Sequence, residues 1–265
     1  MRLPIGAPAS APGPTLTAMP GWLDEVDLDP SGTWRRMATR RLRADEPWLT
    51  PDAEAPTQLA RKAELLRDRR AEVLVAPDDC RPAAAEVLTL VEAAVGGHGD
   101  PDRHPLEAAA RMVQDDLCLL TRRSTTWDLV AASVCFPSRW RLTEKIGRSV
   151  TEVHQPVDGY DPDLAGRVVR LFDRLGPTPV VRRNWFLHPD PALFQPDRPP
   201  AGDPVVPAAR CRSDLYVRSE QQTLRRLPAT GWLLFTIRIQ QAPLATLLER
   251  PLGADRFASY LRQAP

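Results

Sequence analysis

The four histidines are the side chains of this 265-residue sequence best suited to bind a metal or move a proton near neutral pH. His98 and His104 lie in the polar segment GGHGDPDRH, which predicts a surface position for both. His188 precedes a proline at the end of a predicted strand, and we expect it at the surface too. His154 follows apolar residues by four and eight positions, so an unbroken helix would place it on their side. Such an imidazole is either a hydrogen-bonded core residue or a metal ligand, and spacing alone favours the core residue.

Two further groups of polar residues precede or lie in predicted strands. Arg182, Asn184, Phe186 and His188 alternate along one strand and therefore share one face. That face points either into a pocket or, as polar side chains usually do, into solvent. Residues 218–228 concentrate charges and amides, which predicts a solvent-exposed helix with intrahelical ion pairs.

Several common catalytic motifs are absent from the sequence. It contains no GxGxxG, GxxxxGK[ST], HExxH or GxSxG, so a redox reaction would need a reductant from elsewhere. The cysteines, Cys80, Cys118, Cys135 and Cys211, include no CxxC pair. This spacing predicts isolated thiols rather than a zinc or iron–sulfur site.

Composition limits the class of partner. The 35 Lys and Arg residues against 34 Asp and Glu give a net charge of +1, which argues against nucleic-acid or anionic-membrane binding. No apolar run reaches the roughly 20 residues of a membrane span, and the N-terminal segment has no apolar signal core. We therefore expect a soluble, cytoplasmic globular protein. Lys62 and Lys145 are the only lysines and Asn184 the only asparagine, as in a GC-rich genome, so a structural or functional need is expected where they persist.

Hydrophobic periodicity places the elements that would position these residues. Residues 1–20 are predicted to be extended or disordered, and residues 21–57 form a tryptophan-rich arm with Trp22, Trp34 and Trp48. Amphipathic spacing predicts helices over 56–70, 83–95 and 105–113, the first with Leu59, Ala63, Leu66 and Arg70 on one face.

From Asp116 onward the pattern alternates between strands and short helices. Strands are predicted over 117–121, 127–136, 180–187, 213–219 and 231–241. Helices are predicted over 139–146, from the capping box Ser149-Val-Thr-Glu152 through His154, over 161–175, and over 244–261 with an interruption near Pro251. A proline-rich loop spans 188–207. This order predicts an α+β fold with an antiparallel sheet.

Sequence blocks across the chain resemble the haem-dependent oxidative N-demethylase-like family. They are DDLCLL at 115–120, FPSRWRLTEKIG with VHQPV across 136–157, RRNW at 182–185 and EQQTLRRLPATGWLLFTIR at 220–238. The tryptophan-rich arm and the helix after WLTPD are also similar, so the resemblance spans roughly residues 20–250. It implies a PAS-like fold, an antiparallel sheet with short helices enclosing one b-type haem. Residues 21–265 would form one haem-binding domain, with a helical arm (21–113) and a sheet core (114–245).

The activity implied by the resemblance is oxidation of a small amine or another nitrogen-bearing molecule. O2 would be the co-substrate, and electrons would come from a flavin or ferredoxin-type partner reductase, since this chain has no flavin or iron–sulfur signature. Two other classes stay open: a haem-based gas or redox sensor, and a haem-free structural relative.

The resemblance also implies roles for individual residues. His154 matches the histidine of the family's H-x-P-V segment and would be the proximal iron ligand, with His188 and Cys135 as competitors. Arg182 or Arg183 would bind a haem propionate, and Phe136, Trp140 and Asn184 would line the haem site. Glu220 would hold a cationic amine or relay protons, and Arg238 would pair with a propionate or polarise O2.

The sequence departs from the family pattern at two positions. Gln221 stands where the family often has an arginine in E-R-Q-T-L, so a changed reaction is expected if that position contacts substrate. Asp158 replaces the second proline of the H-x-P-V-P-G turn, which relaxes the chain after His154.

Overall fold

The computed structural model describes residues 20–28, 39–154, 162–200, 202 and 204–263. The predicted N-terminal extended segment lies outside the described residues, apart from Pro20, as do Trp34 and Asp158.

Within the described residues, seven strands form one sheet in the order β1-β5-β6-β7-β3-β4-β2, and every neighbouring pair is antiparallel. The strands are β1 (Arg40–Arg41), β2 (Leu74–Val75), β3 (Asp116–Arg123), β4 (Thr126–Ser133), β5 (Val180–His188), β6 (Tyr216–Arg226) and β7 (Leu233–Pro243). The helices are α1 (Ala55–Asp68), α2 (Arg70–Val73), α3 (Arg81–Val95), α4 (Pro105–Met112), α5 (Leu142–Lys145), α6 (Val150–His154), α7 (Pro162–Arg174), α8 (Cys211–Asp214), α9 (Leu244–Leu248) and α10 (Gly253–Gln263). The fold is α+β with an antiparallel sheet, as predicted.

The sheet has helices on both faces. On one face, which we call the arm face, Leu117, Leu119 and Leu234 pack against α3 and α4. On the other, Leu120, Leu224 and Leu233 share a hydrophobic core with α6 and α7. We call this second side the crossover face, because α5, α6 and α7 belong to the connection from β4 to β5. Since successive residues of a strand point to opposite faces, these contacts assign the positions of β3, β5, β6 and β7 to one side or the other.

Predicted helices whose ends depend on local signals agree with the structure. α3 ends where Gly96 takes a φ of 76°, a backbone conformation that suits glycine at a helix C-terminus. The closing helix is interrupted as predicted, into α9 and α10. The predicted face of α1 is correct at Leu66, which is buried, and wrong at Arg70, which is exposed and lies beyond this helix. α1 also buries Gln58 and Lys62, because polar groups of β7 and of the α4–β3 connection face this helix.

The prediction of an exposed helix over residues 218–228 is also wrong. Most of this segment is β6, which pairs with β7 along its whole length and with β5 as far as Leu224. Arg218, Ser219, Thr223 and Leu224 are buried there. The polar side chains of β6 find partners on other elements, so composition did not reveal the strand.

In the part of the chain that the structure describes, no helix combines the length and the apolar character needed to cross a membrane.

Candidate functional site

His154 is the last residue of α6, a single helical turn whose position is set by contacts at both ends. The predicted capping box forms: the Ser149 backbone N–H donates to Glu152 Oε2 at 2.8 Å, and the Glu152 N–H donates to Ser149 Oγ at 3.2 Å. At the other end, Lys145 Nζ donates to the Val153 carbonyl at 2.6 Å. One turn has little stability of its own, so these contacts determine where His154 lies.

The His154 ring is held in one tautomer. Its Nδ1 lies 2.7 Å from the Val150 carbonyl oxygen. A carbonyl only accepts, so Nδ1 carries the proton and the neutral ring has its lone pair on Nε2. Burial lowers the pKa of His154, and the positive charges of Arg182 and Lys145 lower it further against the opposing effects of Val150 and Glu220. His154 is therefore neutral at pH 7, the form in which imidazole binds iron.

Polar side chains of β5 and β6 form a partly exposed patch on the crossover face near His154. In the strand register Arg182 pairs with Gln222, and Asn184 pairs with Glu220. Arg182 donates to the Asn184 side chain, and Gln222 Nε2 donates to Glu220 Oε2 at 2.9 Å. We call these four residues the polar floor. It carries both a guanidinium and a carboxylate within electrostatic reach of His154.

Apolar side chains of β7 lie beside the polar floor, since Ile239 pairs with Glu220 and Ile237 pairs with Gln222. Phe136 is 1% exposed and packs with Ile237 and Ile239 of β7. Trp140 is partly buried and contacts both this cluster and the α6–α7 cluster. Residues 136–140, which we call the wall segment, thus connect the two apolar clusters that flank the floor.

The wall segment is held by two buried charged residues that the sequence did not single out for a role. The Arg218 guanidinium donates to the Phe136 carbonyl at 3.0 Å, and the Asp116 carboxylate accepts from the Phe136 N–H at 2.9 Å. Arg218 has the same strand alternation as Glu220, so a correct prediction of β6 would have placed it on the same face.

The family model for haem-dependent oxidative N-demethylase, alpha subunit-like proteins matches residues 92–265. The chain belongs to this family. The match contains His154 and the sequence blocks quoted above, from 115–120 to 220–238. The arm and α1 precede the matched segment.

Not every residue assigned from resemblance to this demethylase-like family lies near His154. Arg183 and Arg238 point to the arm face, away from the polar floor. Arg183 donates to Ser219 Oγ at 2.9 Å and to Gln240 Oε1 at 2.8 Å. Arg238 donates to Gln58 Oε1 at 2.5 Å, and its Nη2 lies 2.7 Å from Asp52 Oδ2. The structure therefore does not bring Arg183 or Arg238 together with His154, Arg182 and Glu220.

The two competitors for the iron ligand have different surroundings. His188 is 5% exposed, which corrects the predicted surface position; its ring centroid lies 4.9 Å from that of Phe186. Cys135 is fully buried, and burial raises the pKa of its thiol to about 12, so it is not a thiolate at neutral pH. All four cysteines are free thiols, as the sequence predicts.

The departure from the family's E-R-Q-T-L pattern lies on the arm face. Gln221 Oε1 accepts a hydrogen bond from Arg183 Nη2 at 2.9 Å. Because Gln221 lies between Glu220 and Gln222 on β6, its side chain points away from the polar floor. This position therefore differs from the family pattern without changing the surface that faces His154.

Some side chains of the crossover face have the chemistry that a haem requires of its protein ligands. Among the described residues, no three His, Cys, Asp or Glu side chains group as metal ligands. A single neutral imidazole such as that of His154 suits a porphyrin, because that group brings four nitrogen ligands of its own. Phe136 and Ile237 pack in an apolar cluster. The guanidinium of Arg182, which lies within electrostatic reach of His154, is of the kind that matches a propionate carboxylate.

Proposed function

We propose that this chain binds one b-type haem on the crossover face, with His154 Nε2 as the protein ligand of the iron. We further propose that it is the haem-bearing part of an enzyme that oxidises a small amine or a related nitrogen-bearing molecule. O2 would be the co-substrate, and a separate flavin or ferredoxin-type reductase would supply electrons. The observation that carries the proposal is the neutral His154 ring, fixed through Nδ1 and placed near the polar floor, in a chain of this family.

The arrangement of strands and helices supports a PAS-like pocket. Strands β5, β6, β7, β3 and β4 are adjacent in the antiparallel sheet, and the short helices α5, α6 and α7 connect β4 to β5. These helices lie on the crossover face and bring His154 close to the polar floor. An antiparallel sheet with helices packed on this face supports the PAS-like fold that the family resemblance implies.

A bound haem would supply O2 activation and one-electron chemistry. The protein's own residues would bind and orient the reactants. Arg182 is suited to a propionate, since a guanidinium pairs with a carboxylate through two parallel hydrogen bonds. Glu220 is oriented by the Gln222 hydrogen bond to Oε2, which leaves Oε1 as the atom to hold an ammonium group or a proton.

An absorption spectrum of the purified protein tests haem binding. We expect a Soret band in the wild type and its loss or shift in His154→Ala. His98→Ala is the matched control, because the His98 side chain is 91% exposed and should not affect the spectrum. A wild-type protein without a Soret band after reconstitution with hemin would favour a haem-free relative. An unchanged spectrum in His154→Ala would reject the ligand assignment.

Oxygen consumption with a surrogate reductase separates an enzyme from a sensor. NADPH-dependent O2 uptake that rises with one member of an amine panel supports the proposed oxidation. A haem-loaded protein whose uptake is unchanged by every amine in the panel would instead favour gas or redox sensing.

A further inference from the structure

Arg218 is a fully buried cation whose hydrogen bonds go to the main chain of two loops. It lies on β6, two residues before Glu220 on the same face, and its relative exposure is 0%. Its guanidinium contacts the carbonyls of Phe136 (3.0 Å), Pro137 (3.3 Å), Ala192 (3.0 Å) and Leu193 (3.0 Å), and Ser138 Oγ (3.0 Å). Through these bonds one side chain fixes the wall segment and residues 192–193 to the sheet.

Asp116 holds the same stretch of chain from its N–H side. It is 1% exposed, and its two carboxylate oxygens accept from the N–H groups of Cys135 at 2.8 Å and Phe136 at 2.9 Å. The negative charge of Asp116 therefore lies at the Phe136 N–H, and the positive charge of Arg218 lies at the Phe136 carbonyl. Charge-assisted hydrogen bonds of this kind are about twice as strong as neutral ones.

The wall segment is also strained. Arg139 has a φ of 66°, in the left-handed region that residues with a Cβ avoid. The Arg139 N–H donates to the Gln195 carbonyl at 2.7 Å, and the Gln195 N–H donates to the Pro137 carbonyl at 3.3 Å. Such strain persists only where the surroundings over-determine the backbone, and it concentrates at functional sites.

We propose that Asp116 and Arg218 are positioning residues that clamp the backbone around Phe136, so that the wall of the His154 site is preformed before its ligand binds. The part of this inference that concerns ligand binding rests on the proposed function. A well-packed apolar side chain in place of a buried charge is often no less stable. The charges at these two positions are therefore explained by placement of the main chain. The five N–H donors of a guanidinium can serve carbonyls of two loops at once, and the two oxygens of a carboxylate can accept from two successive N–H groups.

The same strand offers a matched control. Arg226 Nε and Nη2 donate to the carbonyls of Leu175 (2.8 Å) and Phe172 (3.0 Å), and its Nη1 donates to that of Gly231 (2.9 Å). It is thus another arginine of β6 that binds main-chain carbonyls, but its bonds go to the end of α7 and the β6–β7 turn, not to the wall segment.

Amide hydrogen exchange of the full chain without added haem tests the clamp. We expect Arg218→Lys to speed exchange in peptides covering 135–140 and 190–195 by at least about tenfold, with little change at 172–176. Arg226→Lys should give the opposite pattern. In a hemin titration, Arg218→Lys should weaken binding by a similar factor, whereas Arg226→Lys should remain within about twofold of the wild type.

Wild-type exchange rates at 135–140 in Arg218→Lys would overturn the clamp. Faster exchange combined with unchanged hemin affinity would overturn the positioning role. If the wild type binds no hemin, the proposed function fails, and so does the part of the inference that concerns ligand binding. The exchange pattern still tests whether Asp116 and Arg218 hold the backbone around Phe136. If Arg218→Lys does not fold, Asp116→Asn loosens the other half of the clamp, and the same readouts apply.

Discussion

Replacing Lys62 with methionine should strongly destabilise the junction between α1 and the sheet. Lys62 is fully buried, and its Nζ donates to the carbonyls of Val113 at 3.0 Å and Asp115 at 2.5 Å. It also lies 3.8 Å from Asp116 Oδ1. Methionine keeps most of the side-chain volume, so the variant removes the charge and its hydrogen bonds without opening a large cavity.

The size of the effect follows from the groups left behind. Removing one partner of a buried ion pair typically costs about 3–5 kcal/mol. Asp116 keeps its hydrogen bonds from Cys135 and Phe136, and burial raises the pKa of its carboxyl group, so it can take up a proton in the variant. We therefore expect a loss near the lower end, about 3 kcal/mol, which corresponds to a fall in Tm of about 6–12 °C for a domain of this size.

Urea unfolding followed by circular dichroism measures this loss. Arg61→Met on the same helix is the matched control. The Arg61 side chain is 47% exposed and pairs with Glu64 at the surface, so its change should remain within about 0.5 kcal/mol. A loss below about 1 kcal/mol in Lys62→Met, at an unchanged m value, would refute the claim that a buried cation stabilises this junction.

Three further variants test other parts of the structure. Lys145→Met removes the bond that holds the end of α6, so hemin affinity should fall about tenfold in a titration while a Soret band persists. Glu220→Gln keeps the shape of the floor but not its charge, so hemin should still bind while amine-dependent O2 uptake falls at least about tenfold. Burial raises the pKa of Asp115 from 3.8 to about 6. The positive charges of Arg238 and Lys62 oppose this increase, and the negative charge of Asp116 adds to it. The folded state thus holds a proton that the unfolded state releases. The contribution of this proton to the free energy of unfolding is lost as pH rises through about 6. Urea unfolding should show the wild type losing about 1 kcal/mol more than Asp115→Asn between pH 5 and pH 8.

Features set by residues close together in sequence were predictable. The capping box of α6 joins Ser149 and Glu152, three positions apart, and forms as predicted. The end of α3 at Gly96 likewise depends on one local conformation. The two lysines that persist in a lysine-poor composition both donate to main-chain carbonyls, which agrees with the expectation of a specific need.

Features that depend on distant partners were not predictable. Arg218 in a strand looks like a surface residue until its acceptors are known, and these lie 25–26 and 80–82 positions away in the chain. The choice between Arg182 and Arg183 as neighbour of His154 required the strand's orientation, because adjacent residues of one strand point to opposite faces. The structure places Arg182 on the side of His154 and Arg183 on the arm face.

Ligand replacement is a direct test of the proposal that His154 Nε2 holds the haem iron. The measurement is the absorption spectrum of hemin-reconstituted His154→Gly, recorded with and without added imidazole. We expect the variant to lose the wild-type spectrum and free imidazole to restore it, because the small ligand can occupy the space that the ring leaves. A His154→Gly variant that shows the wild-type spectrum without imidazole would contradict the account.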